Sequence, residues 1–304
     1  MMKDPNRLNP IKKARRRVSM RSALLLTLCA CFLVTAGRIV LLMLPAAIRP
    51  LPEALLSLLA FGGGAYLGLC VLDGDQAKTL VRLALSRAQI LYLSMLGVLC
   101  VCPMTLFADL WRSLFAPGVP AQAAGVAAGA DAALFIVQLL KSALIAPVCE
   151  ELFFRGYLLG AMGRHGRLRA VTASALCFAL AHGVSIGGLF VHAMLGVLLG
   201  LLMLKTGSVF APMLVHGCYN LTIMLISYAG LTPLFDRLSL LSCAIRLAGC
   251  AAFVAVIKKA CTAQGTKKQA RMLQEQKLSR KEAAYVVLAL LMAALAAVLS
   301  GVTA

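Results

Sequence analysis

The run EELFFR sets Glu150, Glu151 and Arg155 inside one of the most apolar regions of the chain. An ionisable side chain in a bilayer core is costly unless it is paired or faces a cavity, so each such group asks for a partner or a task. Two more polar sites follow within about seventy residues: FALAH, with Phe178 and His182, and HGCYN, with His216 and Asn220. On a helix, adjacent residues point about 100° apart, whereas residues four apart share a face. The two glutamates therefore cannot serve one point. Glu151 and Arg155 stand one turn apart in the favourable order for an ion pair, which leaves Glu150 free for other work.

A carboxylate and an imidazole facing one cavity can deprotonate a water. A histidine and a side-chain amide can donate hydrogen bonds to the oxyanion that forms when that water attacks a carbonyl. That combination is suited to peptide hydrolysis. The same Glu150, His182 and His216 also suit Zn²⁺, which takes imidazole nitrogens and a carboxylate oxygen and keeps one position for water. No HExxH pair is present, so a zinc site would have to be assembled from three helices. The cofactor alternatives are thus Zn²⁺ or none, and the side chains are common to both. A single histidine in a membrane helix is ordinarily a packing residue. Depth argues that these three are more. Glu150 lies fourteen residues before Arg164 and His182 thirteen after Arg169, each about 20 Å along its helix from one basic hairpin; His216 lies about 16 Å from Lys205.

The elements that must position these groups are membrane helices. The chain has 304 residues, 61% hydrophobic and 13% charged, with a mean hydropathy of +0.90. Runs long enough to span, roughly 20 apolar residues, recur near 22–44, 54–72, 88–107, 131–160, 170–183, 189–204, 208–228, 239–257 and 283–301. The expected fold is all-α, a polytopic transmembrane bundle of about eight or nine spans with the site inside it. Pro147, lacking an N–H, is expected to bend the helix just before Glu150.

The net charge of +19 does not indicate nucleic acid, because the basic residues cluster in connections between apolar runs. Lys3, Arg7, Lys12, Lys13, Arg15, Arg16, Arg17 and Arg21 precede the first run and place the N-terminus in the cytoplasm by the positive-inside rule. Lys78, Arg82 and Arg87, then Arg164, Arg167 and Arg169, then Lys205, and the basic connection at 258–281 assign alternate connections to the same side. The final run then ends outside. The first run reads as retained rather than as a cleaved signal. The eleven cysteines fall mostly in apolar runs and read as small buried hydrophobes. Arg38 and Arg246 read as structural side chains snorkelling to an interface.

The ordered set EELFFR, FALAH and HGCYN resembles the motifs EExxxR, FxxxH and HxxxN of the CPBP or Abi family. That family contains type II CAAX prenyl endopeptidases and bacteriocin-processing or self-immunity proteins. The glycine-spaced run leading to Thr206-Gly207-Ser208 and the last histidine helix adds to the likeness, which covers about residues 131–228. The resemblance implies an intramembrane endopeptidase in which Glu150 activates water with His182 assisting, and His216 and Asn220 stabilise the oxyanion. Glu151, Arg155 and Phe178 support the site. Members are described both as metalloproteases and as metal-free glutamate enzymes. His192 lies outside the motifs and reads as a packing residue.

The expected organisation is a basic cytoplasmic segment at 1–21, N-terminal transmembrane helices at 22–130, a catalytic core at 131–228 and C-terminal transmembrane helices at 229–304. The expected partners are the lipid bilayer and a membrane-associated protein or peptide, with no nucleic acid. The expected place is the plasma membrane of a bacterium. The alternatives weighed are a non-catalytic bacteriocin-immunity or peptide-binding protein of the same fold, and an ion-coupled transporter. A transporter should show internal symmetry and polar groups staggered in depth, and the sequence shows neither.

Overall fold

A computed structural model describes residues 20–45, 47–71, 85–115, 131–163, 166–182, 186–232, 234 and 240–260. The basic N-terminal segment, the 116–130 connection, Lys78, Arg82, Arg164, most of the basic 258–281 connection and the apolar run at 283–301 lie outside the described residues. Among the described residues every regular element is a helix. Helix α1 is Met20–Leu41. Helix α2 runs from Pro50–Ser57 through a widened π segment, Leu58–Gly63, into Gly64–Val71. Helix α3 joins Arg87–Leu99 to Val101–Phe115 across Cys100, whose N–H still bonds to the Leu96 carbonyl at 2.9 Å. Helix α4 runs from Ala132–Leu139 to Leu159–Met162 and carries two π segments, Leu140–Ile145 and Leu152–Leu158. Helices α5 (Arg167–Ala181), α6 (Ile186–Thr206), α7 (Phe210–Tyr228) and α8 (Leu240–Ala260) complete the bundle.

Local chemistry explains several boundaries. Ser86 and Gln89 form a reciprocal capping box at the start of α3, and the Asp131 carboxylate accepts from the Ala133 and Leu134 N–H groups at the start of α4. The α6–α7 turn closes on Gly207, whose φ of 66° is the left-handed conformation that ends a helix without a Cβ clash. In α4 the first π segment ends just before Pro147. Pro147 supplies no N–H to the carbonyl of Ala143, so the regular ladder cannot pass through this point. The anticipated distortion is there, as a widening of the helix.

Eight of the nine apolar runs fall in the described residues, and all eight are helical. Among the described residues six helices are long and apolar enough to cross a membrane: Arg21–Leu41, Pro50–Cys70, Arg87–Phe115, Ala132–Met162, Gly188–Thr206 and Phe210–Tyr228. Two runs counted as spans come out shorter. In α8 the apolar stretch is Leu241–Ile257. Helix α5 has 15 residues, about 22 Å of rise, less than the roughly 30 Å of a hydrocarbon core. It is an inner element, with Ala170, Val171, Ser174, Ala175, Cys177, Phe178, Ala179 and Ala181 all buried. The protein is an all-α polytopic bundle and an integral membrane protein.

Lipid tails are as apolar as leucine, so helices in this bundle are held by close packing and polar contacts rather than by escape from water. Two packed clusters result. One gathers α1, α2, α4 and α5 around Phe61, Phe153, Phe154 and Phe178. The other gathers α3, α6 and α7 around Leu93, Leu96, Leu195, Leu199 and Val215. Large side chains such as Phe32, Val40, Leu59 and Leu67 face outward, as lipid-facing residues should. Arg246 does not snorkel. Its side chain is fully buried and pairs with Asp109 of α3, which exchanges the cost of one buried charge for that of an ion pair.

Candidate active site

The site forms where α4, α5, α6 and α7 meet at Phe178, which is fully buried and surrounded by aromatic rings. His182 lies 4.5 Å away by ring centroids, Phe154 5.4 Å and His216 5.6 Å. Arg155 Cζ sits 4.4 Å over the Phe178 ring, a cation–π contact that suits a guanidinium withdrawn from water.

Glu150 and Glu151 are both buried and point to different partners, as their 100° separation requires. Glu151 Oε1 accepts from Arg155 Nη1 at 2.8 Å, the pair anticipated from spacing, and neither side chain is exposed. The same oxygen lies 3.0 Å from His216 Nδ1 of α7. Arg155 Nη2 also donates to the Gly196 carbonyl of α6 at 3.1 Å. Glu151 and Arg155 thus tie three helices together, which no sequence spacing reveals.

Glu150 Oε2 lies 3.4 Å from His182 Nε2, and it is buried without a hydrogen bond that meets ordinary geometry. His182 Nδ1 is 2.8 Å from the Phe178 carbonyl. A carbonyl can only accept, so Nδ1 carries a hydrogen. A neutral His182 would then turn a bare nitrogen toward a carboxylate oxygen, and two lone pairs at that distance repel. One proton held between Nε2 and Oε2 makes the contact attractive. His182 also follows directly on the end of α5, where the last carbonyls lack helical partners. His182 serves the Phe178 carbonyl, and Arg38 Nη1 of α1 reaches the Ala181 carbonyl at 3.4 Å. Arg38 remains largely exposed, and its task is to close this helix end.

The π segments feed the site. Leu152–Leu158 begins immediately after Glu151, and Ser174 Oγ donates to the Phe154 carbonyl at 2.8 Å within it. In the first π segment the Ser142 carbonyl accepts from Asn220 Nδ2 at 2.8 Å. One amide hydrogen of Asn220 is therefore committed to the scaffold, and a second is left. Gly217, on the same helix, lets α7 come this close. A Cβ there would lie 2.7 Å from the Ala143 carbonyl oxygen.

The zinc alternative requires Glu150, His182 and His216 to aim three donors at one point. Glu150 and His182 do meet, while His216 turns Nδ1 to Glu151 and keeps Nε2, the nitrogen a metal would take. Among the described residues no group of three His, Cys, Asp or Glu side chains is placed to hold a metal ion.

His192, which lies outside the three motifs, packs against the candidate site. Its ring stacks on His182 at 4.4 Å with an interplanar angle of 19°, and its Nδ1 lies 2.7 Å from the Gly188 carbonyl. A signal was present: His192, Gly196 and Gly200 recur every four residues and share one face of α6, the face that meets α5.

Residues 132–222 match the family described as type II CAAX prenyl endopeptidase Rce1-like. The matched stretch contains all three motifs and every helix that lines the site. No curated protein and no solved structure gives a significant match.

Proposed function

Taking residues 132–222 as an Rce1-like domain of the CPBP intramembrane protease family, we propose that this protein is an endopeptidase. It cleaves a peptide bond in a membrane-associated protein or peptide, with Glu150 as the base that activates water. The observation that carries this reading is the buried Glu150 carboxylate, whose Oε2 stands 3.4 Å from His182 Nε2.

The chemistry is balanced without a metal. Glu150 takes a proton from water as the water oxygen forms a bond to the carbonyl carbon. His182, protonated on Nε2, holds the Glu150 carboxylate in place. The electron pair displaced onto the carbonyl oxygen is met by His216 Nε2, carrying a hydrogen, and by the second amide hydrogen of Asn220. As the C–N bond breaks, the proton held by Glu150 passes to the leaving nitrogen. His216 keeps its orientation because Glu151 holds Nδ1, and Arg155 fixes Glu151 from its own helix. The remaining parts of the proposal follow from the family and the charge pattern: a bacterial plasma membrane, with the N-terminus in the cytoplasm.

The test compares the purified parent with Glu150→Gln and His182→Ala on membrane-inserted peptides, with and without chelator. The parent should cleave in chelator and both variants should lose at least about a hundredfold in rate. Cleavage by both variants at the parental rate would leave the peptide-binding reading instead. Activity abolished by chelator and restored by Zn²⁺ would overturn the metal-free scheme.

A further inference from the structure

His192 is half-buried in the second turn of α6, directly opposite the end of α5. Two local features fix its ring. Its Nδ1 is 2.7 Å from the Gly188 carbonyl one turn earlier, so that nitrogen donates and the ring plane is tied to its own helix. One and two turns later, Gly196 and Gly200 meet Ala175 and Val171 of α5. A Cβ at Gly196 would lie 2.9 Å from Ala175 Cα, so the two helices approach as closely as they do only because no side chain intervenes. Extending that seam toward the start of α6 brings His192 over His182, 4.4 Å between ring centroids and 19° from parallel, with Phe178 6.3 Å away.

His182 itself is held by less than its task requires. It lies just past the last residue of α5, where the chain leaves the helix. Besides the long 3.4 Å contact from Nε2 to Glu150, its ring is held by the hydrogen bond from Nδ1 to the Phe178 carbonyl, and rotation about that bond would swing Nε2 away from Glu150. The Phe178 ring lies against one side, tilted by 49°. The parallel contact that fixes the plane comes from His192. An offset stack of two rings also supports positive charge on one of them when the other is neutral.

We infer that His192 is a positioning residue: its stack on His182 holds the His182 ring in the plane that aims Nε2 at Glu150. The inference rests on the endopeptidase reading for its kinetic consequence but not for its structural one. His192 touches no reacting atom in this scheme.

The experiment uses the full chain in detergent micelles with ¹⁵N-labelled histidine. There are four histidines, so ring signals can be assigned by single substitutions. His192→Ala should move the His182 ring signals and lower kcat by about threefold to tenfold with KM unchanged. His192→Phe, which can stack but cannot bond to Gly188, should return both toward the parent. Unmoved His182 signals in His192→Ala, or a His192→Phe no better than His192→Ala, would overturn the inference. Should His192→Ala fail to fold, a His192→Phe that leaves the His182 signals and kcat at parental values supports it, and one that displaces both overturns it. Cleavage by Glu150→Gln at the parental rate would instead defeat the endopeptidase reading, and the His182 signals would still decide the role of His192.

Discussion

Glu151 Oε1 stands 3.0 Å from His216 Nδ1, a contact between helices whose residues are 65 apart in sequence, while the adjacent Glu150 faces His182. Neighbouring carboxylates therefore have separable consequences. Glu151→Gln removes the charge opposite a fully buried Arg155 and releases His216, which should cost about 3–5 kcal/mol of stability. Glu150→Gln breaks no scaffold bond and should leave the unfolding midpoint near that of the parent while abolishing cleavage. Unfolding in detergent, monitored alongside peptide cleavage, checks the split; equal destabilisation by both variants would contradict it.

Asn220 donates to the Ser142 carbonyl and, in the proposed mechanism, also to the oxyanion. Asn220→Ala should lose about 1 kcal/mol of stability for the first. For the second it should lose about a hundredfold to a thousandfold in kcat. Asn220→Asp should be less stable than Asn220→Ala, because a carboxylate would face the Ser142 carbonyl oxygen with nothing to donate. A rate loss no larger than the stability loss explains would remove Asn220 from the oxyanion role.

What the sequence made legible was whatever one helix determines alone. The Glu151–Arg155 pair, the turn shared by Phe178 and His182, and the distortion before Pro147 all follow from a period of 3.6 residues and the chemistry of proline. The common depth of Glu150, His182 and His216 also came from rise per residue. Contacts between helices were not legible. That Glu151 holds His216, that Arg246 meets Asp109 and that Arg38 closes the end of α5 depend on helix register and rotation. These are set by which small residues meet, not by any one segment's pattern. At α5 the apolar run gives a helix of 15 residues, shorter than the other spans, with His182 directly after its end.

Small residues should consequently be sensitive where they set register and tolerant elsewhere. A Cβ at Gly217 would lie 2.7 Å from a backbone oxygen of α4, which cannot yield as a side chain would. Gly217→Ala should destabilise by about 1–3 kcal/mol and weaken cleavage by separating α7 from Ser142. At Gly63 a Cβ would have only the Leu58 carbonyl oxygen nearby, at 4.0 Å, so Gly63→Ala should be neutral or stabilising by up to about 1 kcal/mol through helix propensity. Melting curves of the two variants give the comparison, and a Gly63→Ala as damaging as Gly217→Ala would show that the register argument is wrong.

The Arg246–Asp109 pair couples α8 to α3 away from the active site. Breaking it from one side strands a buried charge, so Arg246→Ala should cost about 3–5 kcal/mol. Replacing both partners with apolar residues of similar size, Arg246→Met with Asp109→Leu, removes the charge from both sides and should recover most of that loss. A side chain snorkelling to an interface would behave differently, since its loss would cost little and the double replacement would recover nothing. The measurement is a double-mutant cycle on unfolding midpoints. Cleavage should follow folded fraction in both variants, because the pair joins α8 to α3 and neither of these helices carries Glu150 or His182.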